Sequence, residues 1–138
     1  MSEQLSATAA ALLRKIEDRS ARIGVIGLGY VGLPLALEFA RAGFRVVGFD
    51  VDPRKIDAVN KGESYIGDVH SSELLPHVKE GQLSAALPGD ELGLCDCISI
   101  CVPTPLRKSR DPDVSYIVNS AAEIAKRHDS ESLSVVYG

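Results

Sequence analysis

The chain has no long apolar run, no strong basic cluster and no metal-ligand spacing, and each absence removes a class of function. No apolar stretch approaches the roughly 18 residues of a membrane span, so no membrane segment is expected. The densest basic cluster is Arg107, Lys108 and Arg110, in a chain of net charge −4 and pI near 5.3. Nucleic acids and anionic membranes need clustered Lys and Arg, so neither is an expected partner. The first residues carry Glu3, Glu17 and Asp18 without the basic-then-apolar order of a signal peptide, and a cytoplasmic location is expected.

Cysteine is scarce too. Cys95, Cys97 and Cys101 are spaced C-x-C-x3-C, which matches no zinc pattern, and an odd count without an export signal implies reduced thiols. If a strand begins at Asp96, Cys97 and Cys101 share one face, where burial is a commoner role for free cysteine than reactivity. His70 and His77 stand seven apart with no acidic or cysteine partner at ligand spacing, so no metal is expected. What remains is a chain of 138 residues, 45% hydrophobic and 25% charged, the size and composition of one globular domain.

The most informative stretch is Arg22 to Asp50, RIGVIGLGYVGLPLALEFARAGFRVVGFD. Ile23, Val25 and Ile26 form a short apolar run, and Gly27, Gly29 and Gly32 supply G-x-G-x-x-G where the apolar spacing turns helical. In such a strand–turn–helix unit the first glycine permits the tight turn, the second lets a pyrophosphate approach, and the third lets the helix lie close on the strand. The diphosphate would rest on the free amides and positive end of that helix. A second apolar run, Arg45 to Phe49, ends in Asp50, 23 residues after Gly27 and near the spacing of a ribose-binding acid. Asp50 can accept from both ribose hydroxyls and would repel a 2′-phosphate, which favours NAD over NADP. A Rossmann-like domain for another adenosine ligand, such as S-adenosylmethionine, is the competing reading.

The remaining residues fill in an alternating pattern. Ser2 to Arg19 is expected to be a helix, with Leu5, Ala9, Leu12, Leu13 and Ile16 on the side that packs on the sheet's flank or on a partner. The helix after the glycines runs from Tyr30 to Arg41 with Gly43 as its stop, and Tyr30 stands where it borders a cofactor or simply packs. Asp52 caps a third helix with Pro53 at its first position, and Lys55 lies near the adenosine side, as a ligand contact or as a surface lysine. A short helix is expected over Ser72 to Glu80 and strands over Leu83 to Leu87, Cys97 to Val102 and Leu133 to Tyr137, with a helix from Asp113 to His128 between the last two. Pro103 and Thr104 follow the fourth strand at its carboxyl end, where a doubly wound sheet binds its ligand. Together these predict an α/β fold, a doubly wound parallel sheet of order 3-2-1-4-5 with helices on both faces.

With GLGYVGLPLA, GFDVDPRKI and CVPTPLRKSRDPDVSYI all read, the chain resembles the N-terminal NAD-binding domain of the UDP-glucose/GDP-mannose dehydrogenase family, over about Arg22 to Arg127. SYIGDVHSSEL and PTPLRKSRDPDVSYI resemble most the branch that acts on UDP-N-acetylglucosamine. The resemblance implies oxidation of C6 of a nucleotide sugar to the acid, with two hydrides passing to NAD through a cysteine thiohemiacetal. It implies that Tyr30, Val31, Asp50, Lys55 and Thr104 contact NAD. The family's catalytic cysteine, lysine and asparagine belong to later segments, so no catalytic residue is expected in this chain, and Cys95, Cys97 and Cys101 do not replace that nucleophile.

Two departures stand out: Val136-Tyr137-Gly138 replaces a Glu-Ser-Thr motif, and Ala85 to Gly89 lacks a common Thr-Thr-Asp. The expectation is therefore residues 1–21 as an appended helix and residues 22–138 as a truncated NAD-binding domain, inactive alone and prone to self-association through uncovered sheet edges. A stand-alone nucleotide-binding module is the second reading, and a hydroxyacid dehydrogenase of the same broad fold a third.

Overall fold

Apolar residues at every second position of each strand divide the core between two faces of one sheet. The computed structural model of the protein describes residues 7–101 and 133–136. Five strands, β1 (Arg22–Ile26), β2 (Arg45–Phe49), β3 (Leu83–Ala86), β4 (Cys97–Ile100) and β5 (Leu133–Val136), pair in parallel in the order β3-β2-β1-β4-β5. This is the Rossmann-like order expected from the sequence. The first switch in winding falls between β1 and β4, beside the glycine turn.

Helices α1 (Ala7–Glu17), α2 (Gly32–Arg41), α3 (Pro53–Asn60) and α4 (Ser71–Lys79) complete the described elements, with a 3-10 turn at Asp90–Leu94. Ile23 and Val25 of β1, Val46 of β2 and Leu83 and Ala85 of β3 face Leu33, Ala36, Leu37 and Ala40 of α2, Val59 of α3 and Leu74 of α4. The alternate residues Ile26, Val47, Phe49, Ile98 and Ile100 form a second cluster with Leu92 and Cys95. Full burial of such side chains contributes about 1.5–3 kcal/mol each, and both faces carry them. The helix expected from Asp113 to His128 lies outside the described residues.

The cysteines follow the same alternation. Cys97 and Cys101 pack against the first cluster, while Cys95, in the segment before β4, is buried in the second. Burial pushes the Cys95 thiol up to about 12 and raises Cys97 and Cys101 as well. All three are held as neutral thiols at ordinary pH, as packing residues are.

Several boundaries differ from expectation for local reasons. Helix α2 begins at Gly32 rather than Tyr30, because Tyr30 and Val31 complete the turn. Strand β4 ends at Ile100, although the Cys101 amide still donates to the Ile26 carbonyl at 2.7 Å. Helix α4 starts one residue early and carries Pro76 inside it, with Leu74 still buried. The 3-10 turn has no counterpart in the sequence reading, since five residues are too few to show a period.

In α1, Leu13 and Ile16, expected to pack on the sheet's flank or on a partner, are exposed rather than packed on the sheet. The helix is tied at its polar side instead, where the Lys15 ammonium meets the Asp96 carboxylate at 3.0 Å. The other Asp96 oxygen accepts from the Arg22 amide, so the tie fastens α1 to the amino ends of β1 and β4.

Candidate dinucleotide site

The site grows out of the turn between β1 and α2. Gly27 has φ of 95°, a conformation that costs a residue with a Cβ, and its amide donates to the Phe49 carbonyl at 2.7 Å. A Cβ on Gly32 would lie 1.6 Å from the Gly27 carbonyl oxygen, so only glycine lets α2 start this close to the end of β1. At Gly29 an added Cβ would meet nothing within 4 Å, which leaves open space at the middle of the motif. The three glycines therefore have three different surroundings.

Leu28, between the first two glycines, is an anchor. Its side chain is fully buried and fills a notch over Gly48 of β2, where a Cβ would come within 2.6 Å of it. Its amide donates to Asp50 Oδ2 at 2.9 Å, and the other Asp50 oxygen accepts from the Asp52 amide at 2.9 Å. The carboxylate at the end of β2 is thus held by two backbone donors and turned toward the glycine turn. Such charge-assisted bonds are stronger than neutral ones.

The start of α2 is left without an anion of its own. Val31 occupies the cap position without a side-chain hydrogen bond, and the first turn has no acidic residue. An α-helix begins with amides that lack an intrahelical partner, and a ligand anion can satisfy them. Tyr30 is 81% exposed and Val31 56% exposed, so both stand at the rim of this opening rather than in the core.

Helix α3 starts differently. Asp52 caps it by accepting from the Arg54 amide at 3.0 Å, and the Arg54 guanidinium pairs with the same carboxylate at 3.3 Å. Hydrogen bonds from the Arg54 side chain and then its amide hold the Asp52 carboxyl below its ordinary value. Lys55 is half-buried at this helix start, and its charge also acts on Asp52.

The structure therefore brings Gly27, Gly29, Gly32, Tyr30, Val31 and Asp50 together at the carboxyl edge of β1 and β2, with Lys55 on the first turn beyond Asp50. Pro103 and Thr104 lie outside the described residues. Cys101 does reach this edge, since a Cβ on Gly32 would stand 3.4 Å from the Cys101 Cβ. Of the histidines, His77 meets Gln82 at 2.9 Å and His70 precedes α4. Among the described residues no three His, Cys, Asp or Glu side chains gather as a metal site would require.

One residue at this edge escaped the sequence reading. The Tyr65 hydroxyl donates to the Leu28 carbonyl at 2.5 Å, reaching the glycine turn from the connection between α3 and α4. Burial, followed by the nearby charges of Asp50 and Asp52, raises its phenol well above the ordinary value, so it remains a donor. The signal available was a tyrosine beside an isoleucine in an otherwise polar stretch, because a half-buried phenol nearly always finds a partner.

Residues 21–137 match the profile of the NAD-binding domain of the UDP-glucose/GDP-mannose dehydrogenase family. The chain belongs to that family. It is 35% identical over 116 residues to a UDP-N-acetyl-D-mannosamine dehydrogenase of Pyrococcus horikoshii, a match covering 83% of this chain and 28% of the relative. A UDP-N-acetyl-D-glucosamine 6-dehydrogenase of Pseudomonas aeruginosa is 34% identical over 105 residues, 76% of this chain and 24% of the relative.

Among solved structures, a ternary complex of GDP-mannose dehydrogenase from Pseudomonas aeruginosa superposes with a TM-score of 0.76 at 38% identity, covering 83% of this chain and 28% of that one. The chain thus spans about a quarter of the length of the family members it matches. Its cofactor is that of the family domain, NAD. A 3-hydroxybutyryl-CoA dehydrogenase superposes at a TM-score of 0.58 but only 13% identity, a likeness of fold alone.

Proposed function

We propose that residues 22–138 form the cofactor half of a cytoplasmic nucleotide-sugar 6-dehydrogenase, which takes a UDP-sugar to its uronic acid, with UDP-N-acetylglucosamine or UDP-glucose as substrate and residues 1–21 as an appended helix. The observation that carries the reading is the uncapped, acid-free start of α2 behind the open space at Gly29, with Asp50 fixed next to it. In this reading the diphosphate lies on the amides that open α2, close to Gly27, Gly29 and Gly32. Asp50 has accepting capacity left over for the adenosine ribose hydroxyls, since each oxygen uses only one backbone donor.

Tyr30 and Val31 border the diphosphate, Lys55 the ribose side, and Pro103 and Thr104 the nicotinamide half. NAD, when bound, supplies the hydride acceptor. The chain's own part is to bind it, to orient it along the carboxyl edge of the sheet, and to reject a 2′-phosphate through the Asp50 charge. Identity to relatives named for N-acetylmannosamine, N-acetylglucosamine and GDP-mannose is nearly the same, so the choice among sugars rests on SYIGDVHSSEL and PTPLRKSRDPDVSYI.

Isothermal titration of the 138-residue chain is expected to show NAD binding and at least tenfold weaker NADP binding, about 1.4 kcal/mol. Equal affinities would remove the role given to Asp50. Adding NAD and a UDP-sugar to the same chain is expected to give no NADH absorbance, and steady NADH production would contradict its inactivity alone. The edge strands β3 and β5 and the exposed Leu13 and Ile16 support self-association. A monomer in sedimentation at high concentration would count against it.

A further inference from the structure

The carbonyl of Leu28 and the amide of Gly29 belong to one peptide unit. That unit is planar and trans, so fixing the direction of the carbonyl fixes the direction of the Gly29 N–H. On its carboxyl side stands a glycine whose Cβ position meets nothing, and glycine imposes little barrier of its own to a change of backbone conformation. The Gly29 carbonyl accepts from the Leu33 amide at 3.1 Å, which holds the far side of the glycine and leaves the peptide between Leu28 and Gly29 to be fixed through its own carbonyl.

We propose that Tyr65 is the positioning residue for the dinucleotide turn: its hydroxyl, donating to the Leu28 carbonyl, locks the Leu28–Gly29 peptide in the orientation that the cofactor's diphosphate meets. The inference rests on the NAD reading above for its consequence, though not for its geometry.

Three contacts converge on Leu28. Asp50 accepts from its amide at 2.9 Å, its side chain fills the notch over Gly48, and Tyr65 takes its carbonyl at 2.5 Å. The first two hold the residue at its amide and at its side chain, and only the third holds the peptide that follows. A carbonyl cannot donate, so the direction of that bond is not in doubt.

Tyr65 is itself 37% exposed, and its neighbours seat it. Ile66 and Val69 are buried in the first core cluster, and the Ser64 amide donates to the Ser71 hydroxyl at 2.9 Å. The Ser64 hydroxyl accepts from the Ile66 amide at 3.1 Å, closing a small local turn around the tyrosine. The phenol is thus delivered to the turn by a segment anchored in the first core cluster.

The test is Tyr65→Phe in the 138-residue chain, which keeps the ring and removes the donor. Without ligand, the backbone order parameter of Gly29 is expected to fall from the rigid range, about 0.85, to below about 0.6. NAD affinity is expected to fall about three- to tenfold, the range for one lost hydrogen bond. Adenosine, whose ribose meets Asp50 and which has no diphosphate, is expected to bind within about twofold of the unmodified chain in an NMR titration.

Unchanged order at Gly29 with unchanged NAD affinity would overturn the proposal. Equal losses for NAD and adenosine would overturn it too, because they would mark a general loss of structure. If the unmodified chain binds no NAD, the functional reading fails while the order parameter at Gly29 still decides the role of Tyr65. Should Tyr65→Phe not fold, Gly48→Ala disturbs the same residue by pressing on the Leu28 side chain from β2. It is expected to weaken NAD more than adenosine, and the reverse order would count against the lock.

Discussion

Two consecutive strand-to-helix turns in this protein solve the same problem in opposite ways. Helix α3 carries its own anion at its start, the Asp52 carboxylate on the Arg54 amide, which in turn is paired with the Arg54 guanidinium. Helix α2 has neither a side-chain cap nor an acid in its first turn, and open space lies in front of it at Gly29. A helix that completes its own terminus has little left to offer a ligand, whereas at α2, where the Leu33 amide reaches the Gly29 carbonyl at 3.1 Å and Pro34 has no N–H, the amides offered to a phosphate are those up to Gly32. The anion next to the glycine turn, Asp50, does not cap α2. It holds Leu28 and Asp52 by their amides, across the mouth of the glycine turn.

The largest expected effect breaks the first turn. Gly32→Ala forces a Cβ to within 1.6 Å of the Gly27 carbonyl oxygen, so α2 must shift. Overpacking of this kind costs about 3 kcal/mol, and urea denaturation is expected to show a loss of that order together with loss of NAD binding. A loss below about 1 kcal/mol would mean that α2 can start elsewhere at little cost.

Asp50→Asn is expected to come next. The amide keeps one acceptor oxygen and loses the charge, so the two backbone bonds cannot both be retained as they are. NAD affinity is expected to fall about tenfold or more, with a smaller preference over NADP, as measured by titration calorimetry. An unchanged preference would show that the discrimination lies elsewhere.

Asp52→Ala separates the two turns. It removes the cap of α3 and is expected to lower the thermal midpoint by a few degrees, while NAD affinity changes by less than about twofold. A larger change in affinity would mean that the second turn also serves the cofactor.

The smallest effect is in pH. Asp52 has a folded value below its ordinary 3.8, because of the Arg54 side chain first and the Arg54 amide second. A depressed carboxyl stabilises the fold above its unfolded value, and that stability is lost as the pH falls through the folded value. Thermal midpoints measured between about pH 5 and pH 2 are expected to fall less steeply for Asp52→Ala than for the unmodified chain. Parallel curves would place the acid sensitivity on another group, such as Asp18 beside Ser20.

The parts of the fold that follow a period were legible before any coordinates. The parallel order 3-2-1-4-5, the glycine turn, the Asp52 cap and the shared face of Cys97 and Cys101 were all expected from spacing and residue type. Helix α1 was legible as a helix but not in its orientation, because its apolar stripe says what should be covered and not whether anything covers it. The salt bridge from Lys15 to Asp96 joins residues 81 positions apart, and no local pattern foretells it.

By itself, then, the sequence determined the class of the fold, the place of the turn and the identity of the acid at the end of β2, because these depend on neighbours a few residues away. Only the tertiary structure decided how that turn is held: the Leu28 side chain over Gly48, its amide on Asp50 and its carbonyl on Tyr65. Those contacts join segments from 20 to 37 residues apart, and their partners are chosen by how the helices pack on the sheet.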